Sequence, residues 1–200
     1  STFDNLNGWT GTNMVYFRTN VNNVLVDSSL FNLDLANSAN DGDVGIYFLG
    51  NMQTVTIRNS TFIEADTNAI FLTYPANATV FNHDNVLVSK NTFERNGSGT
   101  NVTGGVQFAG IRNTTSDGGK FEISDNTFLN NSGIAIYLRP GNGGNYVVPN
   151  LNVSRNVITG TKATDTWGAG IRINYIDKVV MSQNSVYNNN NLLPIDLSNG

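Results

Sequence analysis

There is no cysteine anywhere in the 200 residues. That excludes a disulfide framework, a thiolate nucleophile and a cysteine metal site. Charge is scarce as well: Asp, Glu, Lys and Arg together make up 13 % of the chain, with a net charge of −4 and a pI near 4.7. A nucleic-acid partner calls for a basic patch, so none is expected. No run of eighteen apolar residues occurs, so membrane insertion is not expected either. Ser1 opens directly into patterned sequence with no visible signal peptide. Proline occurs four times, and histidine once, as His83. Low charge here does not mean disorder, because Val, Ile, Leu and Phe are plentiful and regularly spaced.

Asparagine is abundant, with 34 in 200 residues, alongside 20 glycines. Asn, Gly, Thr and Val favour turns and strands over helix interiors. The dominant pattern is an eight-residue figure. It reads VLVDSSLF at Val24–Phe31, VTIRNSTF at Val55–Phe62 and VLVSKNTF at Val86–Phe93. It returns as FEISDNTF at Phe121–Phe128, LNVSRNVI at Leu151–Ile158 and VVMSQNSV at Val179–Val186. The closing residues Phe31, Phe62, Phe93, Phe128, Ile158 and Val186 stand 31, 31, 35, 30 and 28 apart. Phe3 falls 28 before Phe31 and joins the same column. A figure that recurs with its internal spacing intact is a structural repeat.

Each unit carries a second piece, a small residue followed by a short alternating run. Examples are Gly45–Phe48, Ala69–Leu72, Gly105–Phe108, Gly133–Ile136 and Gly170–Ile173, with Leu193–Leu197 and Met14–Phe17 as outlying members. Three short strands per thirty residues fit neither tandem hairpins nor four-stranded propeller blades. They fit a parallel β-helix, in which each strand lies on its equivalent one coil away. Period-two alternation then points the columns of Val24 and Val26 inward. The corner column Ser29, Ser60, Asn91, Asn126, Asn156 and Asn184 is expected to tolerate a left-handed backbone and to hydrogen-bond along the stack.

These residues resemble the right-handed parallel β-helix repeats of pectate-lyase-like proteins. The resemblance implies an all-β, right-handed, single-stranded solenoid of six to seven coils spanning residues 1–200. At roughly 4.8 Å per coil it would be about 30 Å long. The closing NNNNLLPIDLSNG also resembles a segment of very large secreted bacterial surface proteins. Solenoids need polar caps, and neither end reads as one, so a piece of a longer chain without its own caps is expected. The fold hosts many functions. Three are expected in turn: a non-catalytic extracellular segment serving as stalk or adhesin-like binding face, a polysaccharide lyase, and a phage tailspike segment. A secreted or cell-surface location goes with all three.

Candidate sites follow from what does not repeat. The link from the second piece to the next figure is 16, 15 and 17 residues long in the middle coils, against 9 and 8 elsewhere. Those long links bear Tyr74, His83, Asp84, Arg112, Asp117, Lys120, Arg139 and Tyr146, and insertions stacked on one face of a solenoid often bind. The neighbouring outward column is read as Tyr47, Phe71, Gln107, Ala135, Arg172 and Asp196, with Thr73, Ala109, Tyr137 and Asn174 in the next one. Tyr47, Phe71, Gln107, Tyr137 and Arg172 are the expected ligand-binding residues, for a polysaccharide or a surface glycan. Tyr47 and Phe71 are equally placed to stack on each other as a cross-strand pair. A lyase would draw its base and its cations from Lys120, Arg139 and Arg172. Stacked carboxylate pairs, which glycoside hydrolysis needs, are missing from the strand column. No cofactor is expected. Asp41 and Asp43 could begin a calcium loop, but without the further oxygen ligands of a complete one.

Overall fold

The computed structural model describes residues 1–4, 13–18, 20–33, 43–73, 83–97, 103–111, 119–140, 150–162, 168–174, 176, 178–190 and 193–198. Among these there are twenty strands and no helix. The strands form three parallel sheets of seven, seven and six members. The phenylalanine sheet comprises Thr2–Asp4, Leu30–Asn32, Thr61–Ile63, Thr92–Glu94, Thr127–Leu129, Val157–Thr159 and Ser185–Tyr187. The glycine–isoleucine sheet comprises Asn13–Phe17, Val44–Leu49, Ile70–Thr73, Thr103–Ile111, Ile134–Pro140, Ala169–Asn174 and Leu193–Ser198. The valine sheet comprises Val24–Asp27, Met52–Arg58, His83–Ser89, Lys120–Ser124, Asn150–Ser154 and Val179–Ser182. The chain visits valine, phenylalanine and glycine–isoleucine sheets in turn, so successive coils stack strand on strand.

Register follows the repeat. Phe3 pairs with Phe31, Phe31 with Phe62, Phe62 with Phe93 and Phe93 with Phe128. Their rings stack at centroid distances of 4.7, 4.6, 5.2 and 4.6 Å. Val55, Ile57, Val86, Val88, Phe121, Ile123, Leu151 and Val153 point inward and are buried. The small residue that opens the glycine–isoleucine strands meets the phenylalanine column from the next side. A Cβ on Gly45 would lie 2.5 Å from the Ala69 carbonyl oxygen and 3.1 Å from the Phe62 ring, and one on Gly105 2.1 Å from the Ala135 oxygen. Close backbone stacking, rather than turn chemistry, keeps this column small.

The corner between valine and phenylalanine sheets is held by a hydrogen-bonded ladder. The backbone N–H groups of Ser60, Asn91, Asn126 and Asn156 donate to the Oδ1 of Asn91, Asn126, Asn156 and Asn184, at 2.9–3.1 Å. Each amide nitrogen in turn donates to a backbone carbonyl of the coil before, Asn126 to Val88 and Asn156 to Ile123, both at 2.9 Å. The left-handed residue is not the ladder residue, as expected, but the one before it. Ser28, Asn59, Lys90, Asp125, Arg155 and Gln183 have φ between 49° and 59°. The ladder side chain must point into the stack, so its neighbour takes the turn.

A second ladder, absent from the sequence reading, holds the next corner. The N–H groups of Ala65, Asn96 and Thr161 donate to Asn96, Asn131 and Asn189 Oδ1 at 2.9, 2.9 and 2.7 Å. Its residues stand three places after the marker column, an offset legible once known.

Candidate functional site

The outer surface of the glycine–isoleucine sheet collects the ligand-binding candidates. Lateral pairing runs Tyr16, Tyr47, Phe71, Gln107, Tyr137, Arg172, Asp196. Two corrections to the expected columns follow. Tyr137 stands in the first outward column, and Ala135 is not outward at all but fully buried. The cause is that the chain offers two pairs of a small residue and an isoleucine, Gly133–Ile134 and Ala135–Ile136, and it is Ile136 that pairs with Val106. Ala135, not Gly133, therefore occupies the small-residue column, and Tyr137 moves into line with Gln107. Tyr16 also belongs to the column and had not been singled out.

The aromatic end of the column is a ring stack. Tyr16 and Tyr47 lie 4.9 Å apart at 4°, and Tyr47 and Phe71 5.1 Å apart at 13°. Rings stacked along the solenoid axis turn their faces to one another and their edges to solvent. A sugar ring seeks an aromatic face, and the Tyr47 faces are both occupied. What Tyr47 presents is its phenol, whose pKa burial and the neighbouring Tyr16 push up, so it stays a neutral hydrogen-bonding group.

Beyond Phe71 the column turns polar. Asn68 donates through Nδ2 to Gln107 Oε1 at 3.1 Å and to the Thr103 carbonyl at 3.0 Å. This fixes the Gln107 amide with its oxygen engaged and its NH₂ as the donor end. Tyr137 is nearly buried, packs with Ile134 and Ala169 in a small apolar cluster outside the main core, and has the Arg139 guanidinium 5.8 Å above its ring. Arg172 forms an ion pair with Asp196 at 3.1 Å, both largely shielded from solvent. The arrangement offers amide, phenol and guanidinium groups in a row at coil spacing.

The lyase candidates do not share one face. Arg139 and Arg172 lie on the glycine–isoleucine sheet, whereas Lys120 opens a strand of the valine sheet. There Lys120 donates to Glu122 at 2.7 Å, and this bond holds the Glu122 carboxyl below its usual range. His83 begins another strand of the valine sheet, with Asp84 half-buried next to it. Asp41, Tyr74, Arg112, Asp117 and Tyr146 lie outside the described residues. Asp43 is buried, and its backbone oxygen accepts from Thr67 N at 3.1 Å and Thr67 Oγ1 at 3.2 Å. Among the described residues no group of three or more His, Cys, Asp or Glu could hold a metal.

Two separate ion pairs border the first ladder. Arg58 Nη2 reaches Asp27 at 2.8 Å and Arg155 Nε reaches Asp125 at 2.7 Å, each across one coil. Hydrogen bonds from Asn59 and Arg58 lower the Asp27 pKa from 3.8 to about 2. These pairs join coil to coil on an exposed edge and leave no reactive group.

Residues 44–199 match the family described as the right handed beta helix region. No curated protein and no solved structure matches the chain. The chain belongs to the right-handed β-helix family, and the handedness implied by the sequence resemblance stands with it.

Proposed function

We propose that this right-handed β-helix is a non-catalytic stretch of an extracellular or cell-surface protein. It works as a rigid rod whose outer glycine–isoleucine face contacts a polysaccharide or another surface glycan. The observation that carries the reading is the continuity of the column from Gln107 through Tyr137 to Arg172. It is a row of hydrogen-bonding groups at coil spacing on a frame locked by two ladders. An extended ligand of repeating hydroxyls suits such a row, because one unit after another meets a group held in place. The aromatic stack contributes stiffness more than binding, because both faces of its central ring, Tyr47, are taken. The Arg172–Asp196 pair and the placement of Lys120 on a different sheet favour binding over elimination chemistry.

A glycan array read with wild type, a Gln107→Ala/Tyr137→Phe double variant and Phe71→Ala tests this. Binding is expected in wild type and in Phe71→Ala, and at least tenfold weaker in the double variant. No binding by wild type would leave a bare spacer and end the binding half of the proposal. Unsaturated-uronide absorbance on alginate, pectate or glycosaminoglycans that disappears in Arg172→Ala would end the non-catalytic half.

A further inference from the structure

The outer face of the valine sheet carries a shallow cleft in the middle coils. Lateral pairing sets six of its side chains in two rows, Thr54–Asn85–Lys120 and Thr56–Leu87–Glu122. They line a volume of about 240 Å³. That is below the roughly 300 Å³ at which pockets for drug-sized ligands begin, so the cleft takes one small ring. Leu87 is the only apolar side chain of the six. It is half-buried and stands at the centre of its row, flanked by Thr56 and Glu122. The cleft thus has a floor of C–H surface, rimmed by two hydroxyls, an amide, a carboxylate and an ammonium.

Glu122 is the fixed group of that rim. Its side chain is 18 % exposed, against 62 % for Lys120. One carboxylate oxygen accepts from Ser124 Oγ at 2.9 Å, and the other from Lys120 Nζ at 2.7 Å. A carboxylate has about four acceptor positions, so each oxygen keeps one for a ligand. Two adjacent acceptors on one held group match the two O–H donors of a vicinal diol, and hydrogen bonds to a charged acceptor are the stronger kind. Lys120 also keeps N–H donors beyond the one that Glu122 engages.

We propose that this cleft binds one neutral pyranose ring, with its C–H face on Leu87 and two neighbouring hydroxyls donating to Glu122. Thr54, Thr56 and Asn85 meet the hydroxyls that remain. Neutrality follows from the ion pair. An anionic sugar meets the Glu122 carboxylate and a cationic one the Lys120 ammonium, and the two protein charges already compensate each other. The inference does not rest on the glycan-binding reading of the glycine–isoleucine face. The cleft lies on another sheet, and either site can fail without the other.

Amide NMR spectra of the chain test it, titrated with the methyl pyranosides of glucose, mannose and galactose and with methyl glucuronoside. At least one neutral glycoside is expected to shift the Asn85, Leu87 and Glu122 signals in a saturable way, and the glucuronoside to bind at least fivefold more weakly. Glu122→Gln keeps the shape and loses the charge, and Leu87→Thr takes the residue type that Thr56 has one coil earlier. Each should weaken the binding at least fivefold. The same spectra report whether a variant is folded, and one folded variant suffices. No saturable shift with any neutral glycoside overturns the proposal. So do shifts confined to Gln107, Tyr137 and Arg172, undiminished binding by a folded variant, or a glucuronoside that binds as tightly as the neutral rings.

Discussion

The two faces of the glycine–isoleucine sheet are built on the same strands and obey opposite rules. Inward stand Val15, Ile46, Ile70, Val106, Ile136, Ile171 and Ile195, a column of β-branched aliphatics. Outward, one residue along each strand, stand Tyr, Tyr, Phe, Gln, Tyr, Arg and Asp. The interior is closed and dense, so a neighbour of a different shape leaves a void or a clash. The exterior needs only that adjacent side chains tolerate one another, and its composition is free to change from coil to coil. Repetition therefore marks what holds the rod together, and departure from repetition marks where the rod can meet something else.

The largest effect expected from breaking this contrast is inside. Phe93→Ala removes a fully buried ring stacked on both Phe62 and Phe128, and should cost about 3–5 kcal/mol in chemical denaturation. Asn126→Ala comes next. It leaves Asn91 N–H without its acceptor and the Val88 carbonyl without its donor, a loss of about 1–3 kcal/mol. A melt unchanged in Asn126→Ala would remove the ladder from the list of stabilising features. On the outer face, Tyr47→Ala breaks two ring stacks in a half-buried column. Its stability loss should be less than half that of Phe93→Ala, because stacking adds only about 0.5–1.5 kcal/mol per pair beyond burial. Equal losses at Tyr47 and Phe93 would erase the distinction between the faces.

The smallest effect lies on the exposed corner. Asp27 has its pKa depressed to about 2 from 3.8 by Asn59 and Arg58. A depressed carboxyl contributes stability above its ordinary value and loses that contribution as pH falls through the depressed one. Carboxyl chemical shifts should show Asp27 titrating near the lower value, and Asn59→Ala should move the midpoint up. The pair is exposed, so the melting temperature should hardly respond.

Much of this was readable beforehand. The markers Phe3 to Val186, the inward columns at Val24 and Val26, the three strands per coil and the asparagine corner all follow from spacing alone. The site was less readable. Spacing alone puts Tyr137 in the wrong column because Gly133–Ile134 and Ala135–Ile136 look alike along the chain, and only lateral pairing shows that Ile136 is the partner of Val106. Tyr16 was missed because its strand lacks the small residue that marks the others. Lys120 and Arg172 were grouped, although the coil turns one onto the valine sheet and the other onto the glycine–isoleucine sheet.

By itself the sequence determined the repeat, and with it the coil, because a packed interior built of stacked equivalents demands the same residue type at the same place in every turn. Only the tertiary structure decided which side chains stand next to one another on the outside. It also decided which asparagine neighbour takes the left-handed turn, and that the tyrosine rings face one another rather than a ligand. Those outcomes depend on lateral register and on the direction of each corner. Neither leaves a mark along the chain, because the partners meet across coils and not within them.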